Sequence, residues 1–131
     1  MTRTGRFLLD TNIVIALFAE DAMVQQHLIE TNEVFVPSIV IGELYYGAHR
    51  STRVAENLAR IDEFVASSTV LSCDTETAQQ YGDIKNKLRA KGRPIPENDI
   101  WIAAIAMQYQ LPLVARDGHF HEVDGLRVEE W

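Results

Sequence analysis

Cysteine is almost missing from this sequence. Cys73 stands alone, so no intrachain disulfide can staple the chain and no thiol cluster can ligate zinc. Proline and glycine are also sparse, at four and seven residues, which excludes collagen-like repeats. No apolar run approaches the ~20 residues needed to span a bilayer. Residues 1–6 carry two arginines but lack the apolar stretch and small-residue cleavage site of a secretory signal. Cations are in the minority: twelve Lys and Arg face nineteen Asp and Glu, a formal charge of −7. Phosphate-backbone binders usually show the opposite balance, so any nucleic-acid contact must come from a local patch. With 47% hydrophobic residues in 131, one soluble cytoplasmic domain is expected, folded on its own core and away from membranes.

Apolar patterning supplies the element order. Arg6-Phe-Leu-Leu reads as a strand that stops at Asp10-Thr11-Asn12, and residues 13–19 read as a buried helix. Val34-Phe35-Val36 is a second strand ended by Pro37, with Ser38 as the expected N-cap of a helix over 39–48. Val54, Leu58, Ile61 and Val65 form the stripe of an amphipathic helix. Residues 69–72 are a strand and 75–90 a longer helix. Pro94 and Pro96 stiffen a loop before an Ile- and Ala-rich helix opening at Asn98 or Asp99 and ending near Gln110. Residues 111–115 and 126–128 complete the strands. Continuously apolar strands between helices predict a three-layer α/β/α sandwich around a mostly parallel sheet of four to five strands.

Sites in such sheets form beyond the carboxyl ends of the strands. Asp10 and Asp117 stand at two of those ends, and Asp99 opens a helix. Each could be an ordinary cap or turn residue. Glu43 is harder to explain structurally, because it interrupts the apolar helix Ile39-Val-Ile-Gly-Glu-Leu and a buried unpaired carboxylate costs several kcal/mol. If the acids meet, each pair at ~4 Å repels by about 4 kcal/mol at an effective dielectric near 20. A cation must then neutralise them. All-oxygen ligation points to Mg²⁺ or Mn²⁺ and to metal-assisted attack of water on a phosphodiester.

Four segments carry a family resemblance: Leu8-Leu9-Asp10-Thr11-Asn12, Gly42-Glu43-Leu44 with Tyr46-Gly47, Asn98-Asp99-Ile100-Trp101-Ile102-Ala103-Ala104, and Ala115-Arg116-Asp117-Gly118-His119-Phe120. In this order and spacing, from residue 7 to about 128, the chain resembles the PIN domain, specifically the VapC toxins of VapBC-type toxin–antitoxin pairs. The resemblance implies a single PIN-like nuclease domain over 1–131 and endonucleolytic RNA cleavage leaving 5′-phosphate and 3′-hydroxyl ends. It implies Mg²⁺ or Mn²⁺ held by Asp10, Glu43, Asp99 and Asp117, with Asp10 and Asp99 foremost as direct ligands. Thr11 and Asn12 would support the ligands. A cognate VapB-type antitoxin and a homodimer come with the same resemblance.

Lys85, Lys87, Arg89, Lys91 and Arg93 put five cations into nine residues just before the loop leading to Asp99. They are the expected RNA-steering patch. Glu97 is expected on the solvent side of that loop. His119 and His121 would share one face of a strand, where a zinc site would need further ligands; His119, just after Asp117, reads as a surface residue that could contact RNA or polarise a leaving group. Trp101 reads as core, and Leu17, Phe18, Tyr45 and Tyr46 as candidates to line a groove for a partner helix. Two rivals are a phospho-acceptor domain, disfavoured because Asn12 is not acidic, and a catalytically silent PIN fold that only binds RNA or protein.

Overall fold

The computed structural model describes residues 5–30 and 33–131. The chain runs β1 (Arg6–Leu9), α1 (Thr11–Phe18), α2 (Ala22–Glu30), β2 (Glu33–Pro37), α3 (Ser38–His49) and α4 (Val54–Ala66). It continues through β3 (Thr69–Leu71), α5 (Thr75–Ala90), α6 (Glu97–Tyr109), β4 (Leu113–Val114), a 3-10 turn (Gly118–Glu122) and β5 (Val128–Glu129). The five strands lie in the order β3-β2-β1-β4-β5. Every pairing is parallel, so the sheet is purely rather than mostly parallel.

That order reverses once. The chain moves outward from β1 to β3, then returns across the sheet to β4 and β5. Right-handed crossovers therefore put α1 to α4 on one face and α5 and α6 on the other. The reversal lies between β1 and β4, where Leu8 pairs with Leu113 and Leu9 with Val114. Two parallel strands whose connections depart to opposite faces leave a crevice at their carboxyl ends. Asp10 and Asp117 stand at its two lips.

The core explains why those ends stay fixed. Leu8, Val36, Leu113 and Val114 have no exposed surface. Neither do Ile102, Ala103, Ala104 and Ile105, consecutive residues of α6 that face inward all round the helix. The Asp10 amide donates to the Val114 carbonyl at 3.0 Å, and the Ala115 amide to the Glu129 carbonyl at 2.9 Å. Gln110 closes α6 in the left-handed region (φ 55°), turning the chain directly into β4. Asp74 and Thr77 cap α5 reciprocally, and the buried Thr77 hydroxyl also reaches Gln108 of α6.

Several expected boundaries move. Helix α2 was not predicted: only Val24 of its nine residues is buried, so no apolar stripe marks it. Its start is fixed by Asp21, whose Oδ1 accepts from the amides of Met23 at 3.0 Å and Val24 at 3.2 Å. Ser38 is not an N-cap, because Pro37 occupies that position and Ser38 is already helical. Strand β4 is two residues long, shorter than predicted, since Leu111 is tied back to Ala106 of the helix at 2.9 Å. No helix among the described residues is long and apolar enough to cross a membrane.

Phe120, fully buried, anchors the 3-10 turn that carries one side of the crevice. Phe120→Ala is expected to cost about 3–5 kcal/mol, read as a lower urea midpoint with an unchanged m-value.

Candidate metal centre

Each acid reaches the crevice from a different element. Asp10 follows β1 and takes the N-cap position of α1, but its side chain makes no capping hydrogen bond. The ordinary structural use of an aspartate there is therefore not taken up. Glu43 comes from the middle of α3, Asp99 from the first turn of α6 and Asp117 from the residues after β4. Together with Thr11, Asn12, Asn98 and His119 they line one cleft of about 480 Å³. The four acids predicted from sequence are thus brought together.

Their electrostatics bear the marks of crowding. Burial pushes the Asp10 carboxyl up to about 6, against a partial pull downward from the Thr11 amide. The charges of Asp99, Glu43 and Asp117 add to the rise. Glu43 is raised by burial and by Asp99, while the Thr11 hydroxyl draws it part-way back. Asp99 is raised by burial, pulled back by His119, and raised again by Asp117. Glu43 Oε1 is buried without a hydrogen-bond partner. An orphaned carboxylate oxygen in a cleft lined by three other acids is an arrangement that a hard cation satisfies. The donor set fits a divalent ion of the Mg²⁺ or Mn²⁺ kind.

Two residues gain roles that the pattern of the sequence did not reveal. His119 lies in a 3-10 turn and not in a strand, so it and His121 do not share a strand face. Its Nδ1 stands 3.2 Å from Asp99 Oδ2 and 3.0 Å from Asp117 Oδ1. With those two acids it forms a group whose candidate donor atoms all lie within 4.8 Å of one another. Arg116 holds the backbone beside Asp117 from outside: it donates to the Trp131 carbonyl oxygen at 2.8 Å and pairs with Asp21 at 3.0 Å.

The basic run is less free than its sequence suggests. Lys85 pairs with Glu97, Lys87 with Asp83 and Lys91 with Asp124. Lys85 and Arg89 line a second cleft of about 480 Å³ that shares Glu97 with the acidic one. Glu97 is exposed as expected, but the Lys85 ammonium and then the Tyr81 hydroxyl hold its carboxyl below the usual range. Trp101 is half-buried and stacks on Tyr81 with centroids 4.0 Å apart. An apolar cleft of about 310 Å³ opens between α1, α3 and α4, lined by Ile15, Phe18, Leu44, Ala48 and Ile61. Of the predicted groove residues only Phe18 lines it. Tyr45 instead donates to Asp62, and Tyr46 packs under Arg50.

A parallel sheet with four acids gathered at its switch point defines a PIN domain, and the model of that family matches residues 7–126. The chain is 37% identical over 129 residues to ribonuclease VapC2 of Haemophilus influenzae, covering 96% of this chain and 98% of that protein. It is 35% identical to the tRNA(fMet)-specific endonuclease VapC of Shigella flexneri, with the same coverage. Among solved structures it superposes on DNA-bound VapBC from Salmonella typhimurium with a TM-score of 0.86 at 30% identity, covering 100% of this chain and 99% of that one. The chain belongs to the PIN domain family and, within it, to the VapC proteins.

The crowding has a stability signature. The Asp10 pKa is raised on folding, so the folded chain binds more protons than the unfolded chain between pH ~4 and ~6, and stability falls as pH rises through that window. Above it the full penalty of an ionised buried aspartate stands. Asp10→Asn is therefore expected to stabilise the metal-free chain at pH 7 by about 2–3 kcal/mol. Its unfolding free energy should also vary less steeply between pH 4 and 6 than that of the unsubstituted chain, as chemical denaturation across that range would read.

Proposed function

We propose that this chain is the toxin component of a type II toxin–antitoxin pair, a Mg²⁺- or Mn²⁺-dependent endoribonuclease acting in the cytoplasm. The convergence of Asp10, Glu43, Asp99 and Asp117 in one cleft, with Glu43 Oε1 buried and unpartnered, carries this reading. The names of the Haemophilus and Shigella relatives, ribonuclease and tRNA(fMet)-specific endonuclease, support RNA as the substrate.

In this reading Asp10 and Asp99 hold the ion directly, and Glu43 and Asp117 complete its surroundings. A divalent ion bound there would neutralise the acids, polarise a phosphoryl oxygen and acidify a water. Glu43, raised in pKa and with Oε1 unpaired, is suited to accept the proton that the attacking water gives up. The water oxygen bonds to phosphorus as the bond to the 3′ oxygen breaks and that oxygen takes a proton from solvent, leaving 5′-phosphate and 3′-hydroxyl ends. Thr11 and Asn12 line the same cleft and would orient the ligands.

The RNA path in this reading follows the basic residues 85–93. Lys85, Lys87 and Lys91 spend part of their charge on carboxylates, so Arg89 and Arg93 would attract most of the phosphate. The antitoxin partner is supported by the VapBC complexes on which the chain superposes. The apolar cleft beside Glu43 suits an amphipathic partner helix. A homodimeric assembly belongs to the same reading, on the family resemblance.

The purified chain, free of antitoxin, should cut total cellular RNA into discrete fragments with Mn²⁺ or Mg²⁺, and EDTA should abolish this. Asp99→Asn, purified identically, should lose at least about 10²-fold in kcat; equal cutting by the variant would mark a contaminant. A folded wild-type chain that cut nothing would point to the binding-only module. Arg89→Glu combined with Arg93→Glu should raise KM. It should also flatten the log–log salt dependence by about 1.4, at roughly 0.7 per phosphate contact on a single strand. Lys87→Glu should do less, and equal effects from both would reject this RNA path.

A further inference from the structure

We propose that His119 is a nitrogen ligand of the metal centre, and that this mixed carboxylate–imidazole set selects Mn²⁺ over Mg²⁺. The inference rests on the metal-dependent reading above and deepens it by naming a further ligand and the preferred ion. A six-coordinate ion with bonds of about 2.1 Å sets neighbouring donors about 3.0 Å apart. His119 Nδ1 stands at 3.2 Å from Asp99 Oδ2 and 3.0 Å from Asp117 Oδ1. One nitrogen thus keeps the edge length of such a shell to two carboxylates from different elements at once.

The ring is also held in place. The His119 amide donates to Asp117 Oδ1 at 2.9 Å, which folds the 3-10 turn back over the acid. The next residue, Phe120, is fully buried and prevents the turn from swinging away.

The chemistry then separates the ions. Mg²⁺ takes oxygen donors and gives up its waters reluctantly, so a nitrogen adds little to its binding. Manganese begins the transition series in which nitrogen donors strengthen binding. A neutral imidazole also adds a donor without adding a fifth negative charge to carboxylates already raised by crowding.

Pulsed electron paramagnetic resonance of Mn²⁺ bound to the antitoxin-free chain tests this directly. The wild type should show ¹⁴N modulation from a coordinated imidazole. His119→Gln should still bind Mn²⁺, without that modulation and on the order of tenfold more weakly, while Mg²⁺ competition changes little. Bound Mn²⁺ with no nitrogen coupling in the wild type, or coupling that survives in His119→Gln, would overturn the ligand assignment and leave the metal-dependent reading standing. Mn²⁺ that fails to bind the wild type any better than Asp99→Asn would overturn both.

Discussion

The parallel pairing of β1 with β4 is the constraint on which the rest of this molecule depends. It sets Leu9 beside Val114, and so brings the segments that carry Asp10 and Asp117 out of the sheet side by side. A sheet whose order did not reverse there would send both connections to one face and fill the gap with backbone. Here the crevice stays open, and α3 and α6 deliver Glu43 and Asp99 to it. The acids are pressed together by the burial of apolar surface elsewhere, above all the inward-facing run Ile102 to Ile105. Electrostatics alone would drive them apart.

What could be read in the sequence follows the same division. The strands were legible because both their faces are covered, which leaves runs such as Phe-Leu-Leu without polar interruption. Asp10 and Asp117 were legible because they end such runs, and Glu43 because it breaks one. Helix α2 was not: most of its surface faces solvent, with Met23 and Ile29 exposed, so its residues carry no stripe. The contact of His119 with Asp99 was hidden for a different reason. It joins a 3-10 turn to a helix twenty residues earlier, and neither periodicity nor spacing encodes a closure made by the tertiary fold. The cations at 85–93 look unopposed when read locally. Asp83 one turn back, Glu97 beyond the prolines and Asp124 far along the chain oppose three of them.

That partial neutralisation bears on how an acidic protein can approach RNA. The Debye length is about 8 Å at physiological ionic strength, so the formal charge of −7 matters less than the charges next to the cleft. Glu97 is shared between the acidic cleft and the cleft holding Lys85 and Arg89. It screens the lysine while leaving the arginine unopposed by any ion pair among the described residues. In the proposed reading, a phosphate chain guided past Arg89 would enter the acidic cleft by way of the residue the two clefts share. The apolar cleft on the other side also touches Glu43. A partner helix lying there would contact a residue of the proposed catalytic set, so inhibition would need no distant conformational relay.

The magnitudes also fit together. Raising Asp10 from 3.8 to about 6 corresponds to a penalty of about 3 kcal/mol in the free chain at neutral pH. A ligand present at a hundred times its dissociation constant returns about 2.7 kcal/mol to the folded state. One divalent ion bound at that saturation would therefore offset most of the cost of keeping Asp10 ionised and buried. In the proposed reading the fold does not have to tolerate the acidic cluster as a permanent weakness, because a bound cation would also relieve the repulsion. The proposed metal role accounts for Asp10 where helix capping does not. An aspartate serving only as a cap would accept from the second or third amide of its helix, and Asp10 makes no such bond.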